Sequence, residues 1–129
     1  MSVADKIETL RKSHDTCRMM TFSDLATGLV LCASSRERAR QEALDTLSDG
    51  ARDIFDGSGG QRLGALLGDD ENGEILASVA VIEPGRARIF VRSPADPYEA
   101  LCCECDAAAP LAEIEAQCRK ELVEIGATH

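Results

Sequence analysis

Residues 17–34, CRMMTFSDLATGLVLCAS, predict two apolar strands joined by a tight turn. The strands cover residues 17–22 and 28–33, because both stretches are rich in apolar residues that suit a strand. In the turn, Asp24 can bond back to its own backbone, and Gly28 accepts a positive φ without steric cost. The sequence therefore predicts a β-hairpin here.

The segment after the hairpin, RERARQEALDTLSDGARDIF at residues 36–55, predicts a long amphipathic helix. Ser34 followed three residues later by Glu37 matches a capping box. Gly50 lowers the stability of the helix by about 1 kcal/mol relative to alanine, so the helix depends on packing. Its apolar residues recur at three- and four-residue spacing and form one stripe: Ala43, Leu44, Leu47, Ala51, Ile54 and Phe55.

The remaining elements flank this unit on both sides. A short helix over residues 3–12 precedes the hairpin, and glycine-rich residues 57–73 predict a loop after the long helix. Strands are predicted at residues 74–82, 86–93 and 98–106. Pro110 suits the first turn of a last helix that ends at Gly126. The apolar stripe of this helix consists of Leu111, Ile114, Cys118, Leu122 and Ile125.

The order helix, two strands, helix, three strands, helix predicts the α/β (α+β) fold class. Strands that are apolar on both faces must be covered on both faces. We therefore expect a central antiparallel or mixed sheet between three helices. A chain of 129 residues has the usual size of one domain, so residues 1–129 are predicted to form a single domain.

Composition excludes several classes of partner. A net charge of −9 and a pI near 4.6 oppose binding to a phosphate backbone, so no nucleic-acid partner is expected. No apolar stretch approaches the roughly 20 residues that cross a bilayer, and no signal peptide is visible, so no membrane contact is expected. We expect a cytoplasmic protein whose cysteines are reduced.

The sequence contains no recognisable catalytic, cofactor or metal motif. Its six cysteines include no CxxC pair, and alternation on a strand places Cys103 and Cys105 on one side and Cys102 on the other, as expected of core residues. The neighbours Ser13, His14 and Asp15 cannot adopt triad geometry on one short segment. The glycine-rich loop lacks the lysine of a phosphate-binding loop. We therefore predict no catalytic residues, no cofactor and no metal.

Two features could form a surface for a partner. The strand at residues 77–81 has small and β-branched residues on both faces, which suits an edge that pairs with a second chain. Ala43 and Ala51, beside Leu44 and Leu47 on the long helix, permit close helix packing. The alternative is that both features are buried in the core of the monomer.

The order and texture of these segments resemble the roadblock/LC7 family from Val3 to about Ile125. The resemblance is carried in sequence order by TFSDLATGLVLCASS, EALDTLSDGARDIF, SVAVIEPG, RARIFVRS, YEALCCECD and PLAEIEAQCRKELVEI. It implies a five-stranded antiparallel sheet with one helix on one face and two on the other. The glycine-rich loop at residues 57–73 departs from the family pattern.

The resemblance also implies an assembly and a function. Family members form homodimers by pairing the third strand across a two-fold axis, with their second helices packed together. They regulate or scaffold small Ras-like GTPases, or attach cargo to motors, without catalytic residues of their own. Transferred to this chain, the interface would contain Leu44, Leu47 and Ala51 on the helix and Ala77, Ser78, Val79 and Ala80 on the strand.

Two other classes remain open from the sequence. Small, acidic, dimeric secretion chaperones have a similar length and pI, but they insert a third strand before the middle helix. A thiol- or metal-dependent protein would require the cysteines to converge on one point.

Overall fold

The structure is a computed structural model that describes residues 2–56 and 77–128, with only the backbone at residues 56 and 128. The predicted order of elements and the α+β class are confirmed within these residues. The glycine-rich loop and the first residues of the predicted 74–82 strand lie outside them. The elements are α1 (Val3–Lys12), β1 (Cys17–Asp24), β2 (Val30–Ser35), α2 (Gln41–Asp56), β3 (Ser78–Glu83), β4 (Arg86–Arg92), β5 (Glu99–Asp106) and α3 (Leu111–Thr128).

The five strands form one sheet in the order β2-β1-β5-β4-β3, and every neighbouring pair is antiparallel. Side chains of successive strand residues point to opposite faces, so each face has its own core. The core under α1 and α3 contains Ile7, Met20, Phe22, Leu101, Ile114 and Leu122, among others. The core under α2 contains Met19, Leu25, Leu47, Ala51, Phe90, Ala100 and Cys102. One helix therefore covers one face and two cover the other, as the resemblance implied.

The cysteines lie where strand alternation predicted them. Cys103 and Cys105 face α1 and α3, whereas Cys102 faces α2. Cys17 and Cys118 join Cys103 in the first core, and the Sγ atoms of Cys103 and Cys118 lie 3.6 Å apart. These thiols fill space between the sheet and the helices as small apolar side chains.

The turn of the hairpin has the predicted chemistry. The Oδ1 atom of Asp24 accepts a hydrogen bond from the Ala26 amide at 3.0 Å, and its Oδ2 atom accepts one from the Thr27 hydroxyl. Gly28 has a φ of 78°, a conformation that costs a side-chain-bearing residue about 1–2 kcal/mol.

The predicted start of the long helix was wrong, because α2 begins at Gln41 and the capping box at Ser34 and Glu37 does not form. The Arg36 amide donates to the Arg18 carbonyl at 2.7 Å, which continues the pairing of β1 with β2. The Ser34 hydroxyl accepts a hydrogen bond from Arg11 Nε at 2.7 Å and is not available as a cap. Contacts from distant residues thus hold this segment extended.

The predicted end of the last helix was also wrong. α3 continues past Gly126 to Thr128. A Cβ atom on Gly126 would lie 2.5 Å from the Cβ atom of Ala95, so the glycine permits a close approach between α3 and the β4–β5 connection. It is a packing residue and not a helix stop.

Candidate interaction surface

β3 forms one edge of the sheet and presents an uninterrupted strand. Its six residues pair with β4 without a register shift, from Ser78 opposite Val91 to Glu83 opposite Arg86. The Arg92 amide donates to the Ala77 carbonyl at 2.8 Å, which fixes the alternation of the ladder. The main-chain groups of Ser78, Ala80 and Ile82 therefore point away from β4. No strand within residues 2–56 and 77–128 pairs with them.

The side chains along β3 are mostly uncharged. Val81 packs against the core under α2, whereas Ile82, on the opposite face, is 75% exposed. Ser78 lies on the α3 side, where its hydroxyl donates to Glu115 Oε1 at 3.0 Å. The charged residue of the strand is Glu83 at its end. An exposed edge of this kind favours pairing with another strand.

The interface residues suggested for α2 lie between the helix and the sheet. Leu47 is 3% exposed and Ala51 is 0% exposed, and Leu44 packs at the margin of the same core. This apolar stripe is therefore already buried within one chain. The exposed face of α2 is mainly acidic and carries Glu42, Asp45, Asp49 and Asp53, together with Arg52.

A hollow of about 410 Å³ lies between the N-terminal half of α2 and β4. Ala43 and Thr46 line it from the helix, and Arg86 and Arg88 line it from the strand. Because β4 lies next to β3 in the sheet, this hollow is one strand away from the β3 edge. The structure thus brings the flank of α2 and the edge strand to one side of the molecule.

Ion pairs hold the two arginines of the hollow in place. Arg86 Nε lies 2.9 Å from Glu83 Oε2, and Arg86 Nη1 lies 2.9 Å from Glu104 Oε1. Arg88 also pairs with Glu83. The hydrogen bonds from Arg86, and then from Arg88, hold the pKa of Glu83 below its usual value. The sequence signal for this network is the alternation of Arg86 and Arg88 on a strand, which the sequence analysis missed.

A second ionic cluster joins β1, β5 and the segment after β2. Arg36 Nη1 lies 3.1 Å from Asp106 Oδ2, and Arg18 Nε donates to Asp106 Oδ1. The hydrogen bonds from Arg36, and then from Arg18, lower the pKa of the Asp106 carboxyl. The cluster holds Arg36 against the sheet, and α2 consequently starts further along the chain.

Acid is expected to weaken the fold through Asp106. A carboxyl whose pKa is lower in the folded state stabilises the protein above its unfolded pKa, near 3.9, and this stabilisation is lost as the pH falls through the folded value. The Asp106→Asn variant should therefore lose less stability than the parent protein between pH 6 and pH 3. Urea unfolding across this range measures the difference, and parallel pH profiles would contradict the role of the cluster.

The histidine of the Ser13–His14–Asp15 segment forms a hydrogen bond outside that segment. His14 Nε2 lies 2.7 Å from Gln117 Oε1 and links the end of α1 to α3. Among residues 2–56 and 77–128, no group of three or more histidine, cysteine or acidic side chains is arranged to hold a metal ion. None of the described helices is long and apolar enough to cross a membrane.

Comparison with solved structures gives matches over nearly the whole chain. A roadblock/LC7 domain from Streptomyces avermitilis superposes with a TM-score of 0.76 at 14% identity, covering 97% of this chain and 95% of that one. The gliding protein MglB of Thermus thermophilus gives a TM-score of 0.74 at 18% identity, covering 98% and 90%. The chain has the roadblock/LC7 fold. MglC of Myxococcus xanthus gives a TM-score of 0.64 at 11% identity over 100% of both chains.

The likeness is one of fold and not of sequence. No protein-family model matches the chain, and no curated protein matches it. In this roadblock/LC7 fold the β1–β2 hairpin leads into α2 through residues 36–40 without a further strand. Secretion chaperones are expected to have a third strand before the middle helix, so this direct connection distinguishes the chain from them.

Proposed function

We propose that this chain is a non-catalytic regulatory or scaffold module of the cytoplasm. It acts as a homodimer and binds a small Ras-like GTPase or a multiprotein complex. The observation that supports the dimer is the β3 edge, which has no strand paired with it within residues 2–56 and 77–128 and whose outward-pointing residues, Ser78, Ala80 and Ile82, are uncharged. The GTPase is proposed from the resemblance to the roadblock/LC7 family and from the shared fold.

The two edges of the sheet differ in their suitability for self-pairing. β3 pairs with β4 in unbroken register, and the residues that point their main-chain groups outward are uncharged. β2 has a register shift near its start, and Arg36 and Arg38 follow its end. A bulge and charged side chains at an edge strand oppose pairing with a further strand. A second copy therefore pairs with β3 in this proposal, through Ala77, Ser78, Val79 and Ala80.

The proposed dimer also involves α2. As the resemblance implies, two-fold pairing of β3 packs the α2 helices of the two copies together. Since the contact is isologous, each copy supplies the same surface. Leu44 contributes at the margin, while Leu47 and Ala51 hold α2 on the sheet beneath the contact.

The partner can be tested by affinity capture from the lysate of the native host. The immobilised protein is incubated in parallel with GDP and with a non-hydrolysable GTP analogue, and bound proteins are identified by mass spectrometry. We expect a Ras-like GTPase to be enriched about tenfold or more in one nucleotide state, because its switch segments change with the nucleotide. A nucleotide-independent export substrate would instead assign the protein to the secretion chaperones.

A further inference from the structure

Four cysteine side chains lie together in the core under α1 and α3. β1 supplies Cys17, β5 supplies Cys103 and Cys105, and α3 supplies Cys118. A thiol-dependent protein requires its cysteines to converge, and these four do. We propose that Cys17 and Cys105 form a reversible disulfide between β1 and β5 when the protein reacts with hydrogen peroxide. This modification site is independent of the proposed dimer and of the proposed GTPase.

The register of the sheet places Cys17 directly opposite Cys105, before the register shift that follows Cys17. The Asp106 amide donates to the Thr16 carbonyl at 2.8 Å, so Cys17 and Cys105 form the next, non-hydrogen-bonded pair of the ladder. The Cα atoms of such a pair lie about 4.5 Å apart, within the roughly 4.4–6.8 Å that a disulfide spans. Both side chains are in the same core. A disulfide can therefore form here without a change of register.

Cys17 is the thiol of this pair that loses its proton first. Hydrogen bonds from Cys103, and then from Cys105, lower the pKa of Cys17, although its burial acts in the opposite direction. The positive charge of Arg11, which is only 7% exposed, lowers this pKa further. The hydrogen bond to Cys17, followed by burial, raises the pKa of Cys105. Since a thiolate and not a thiol attacks a peroxide, Cys17 is the nucleophile and Cys105 is the resolving thiol.

The reaction balances in two steps. The Cys17 thiolate attacks one oxygen of hydrogen peroxide, the S–O bond forms, the O–O bond breaks, and the departing hydroxide takes up the proton that Cys17 has lost. The Cys105 sulfur then attacks the Cys17 sulfur, the S–S bond forms, the S–O bond breaks, and the hydroxyl leaves as water with the Cys105 proton. Two thiols are oxidised and one peroxide is reduced to two waters. Two molecules of glutathione reverse the reaction, as is usual for disulfides in a reducing compartment.

The Cys17–Cys105 pair is buried but lies at the ends of its strands. Cys17 is the first residue of β1 and follows the exposed residue Asp15 by two positions. Cys105 is the residue before the last in β5, and the exposed residue Ala107 follows it by two positions. The ends of strands open locally at a lower free energy than their centres. Hydrogen peroxide therefore reaches this pair through a small local opening.

The Cys103–Cys118 pair is the competing site. Its Sγ atoms lie 3.6 Å apart, and both residues are 0% exposed. The hydrogen bonds with Cys118, and then with Cys17, raise the pKa of Cys103 well above its usual value, and burial raises it further. A thiol held in its protonated form reacts slowly with peroxide. We therefore expect this pair to remain reduced while Cys17 and Cys105 react.

The test treats the reduced protein with hydrogen peroxide, blocks the remaining thiols by alkylation and maps disulfides by mass spectrometry without reduction. Trypsin followed by cleavage after glutamate separates the candidates, because Cys17 is released in residues 13–18, Cys105 in residues 105–113 and Cys118 in residues 116–119. We expect two of the six thiols to be lost and the first two peptides to be joined. Glutathione should restore both thiols.

Alanine variants assign the roles of the thiols. Cys17→Ala should remove the linkage and slow thiol loss by more than about tenfold, because the nucleophile is missing. Cys105→Ala should also remove the linkage. Cys118→Ala is the matched control, since it removes a thiol from the same core and should retain the linkage. Circular dichroism checks that each variant is folded, and where one unfolds, the peptide map of the parent protein decides.

The parent protein gives the decisive result. The proposal is overturned if all six thiols survive a peroxide concentration that oxidises free cysteine. It is also overturned if the main product is a singly oxidised cysteine, a Cys103–Cys118 disulfide or any other linkage within or between chains.

Discussion

The Ala80→Pro protein is expected to be a folded monomer. The main-chain groups of Ala80 point away from β4, so proline at this position leaves the β3–β4 ladder intact. In a β3–β3 pairing the same substitution removes a donor and places a ring against the partner strand. With two such sites per dimer, we expect dimerisation to weaken by more than about 100-fold, which corresponds to about 3 kcal/mol.

Light scattering coupled to size exclusion measures this result, and circular dichroism confirms that the variant remains folded. Ala33→Pro on β2 is the matched control and should remain a dimer, because it alters the other edge. A folded Ala80→Pro protein that is still a dimer would contradict pairing through β3.

Val79→Arg tests the same edge with a charge. Val79 lies opposite Phe90 and is only partly exposed, so an arginine there must either extend toward the partner or disturb the core. We expect a monomer or a misfolded protein. A Val79→Arg variant that remains a well-folded dimer would remove the third-strand interface from consideration.

The Phe90→Ala substitution is expected to have the largest effect on stability. Phe90 lies in the core under α2 and is 0% exposed. α2 rests directly on it, since a Cβ atom at Gly50 would lie 3.1 Å from the Phe90 Cζ atom. Truncation of a buried phenylalanine costs about 3–5 kcal/mol. This is a large share of the roughly 5–15 kcal/mol that stabilises a domain of this kind.

Urea unfolding monitored by circular dichroism measures the loss. Tyr98→Ala is the control, because the Tyr98 side chain is 60% exposed and its removal should change stability by less than about 0.5 kcal/mol. A loss below about 1.5 kcal/mol for Phe90→Ala would show that α2 does not depend on this contact.

Local patterns were sufficient for most of the elements. The β1–β2 turn follows from Asp24 and Gly28, whose conformations are set by their own side chains or by the lack of one. The faces occupied by Cys102 and Cys103 follow from the two-residue period of a strand. Such features depend on residues close together in the sequence, and the sequence therefore predicted them.

The errors occurred where distant residues override a local preference. Ser34 and Glu37 have the spacing of a capping box, but Arg11 bonds to Ser34 and Asp106 bonds to Arg36. Gly126 has the identity of a helix stop, but it lies within α3, where the absence of a side chain permits the close approach of Ala95. Local sequence patterns contain no information about contacts with residues far along the chain.

The sequence by itself determined the order of helices and strands, the alternation of faces within the strands and the resemblance to the roadblock/LC7 family. The tertiary structure decided which strands form the edges, because β5 inserts between β1 and β4 and leaves β2 and β3 outermost. It also decided that Leu47 and Ala51 pack on the sheet, and that Arg86 and Arg88 face the flank of α2. The physical reason is that strand order depends on pairing between distant segments, whereas helix and strand periodicity depends on neighbours.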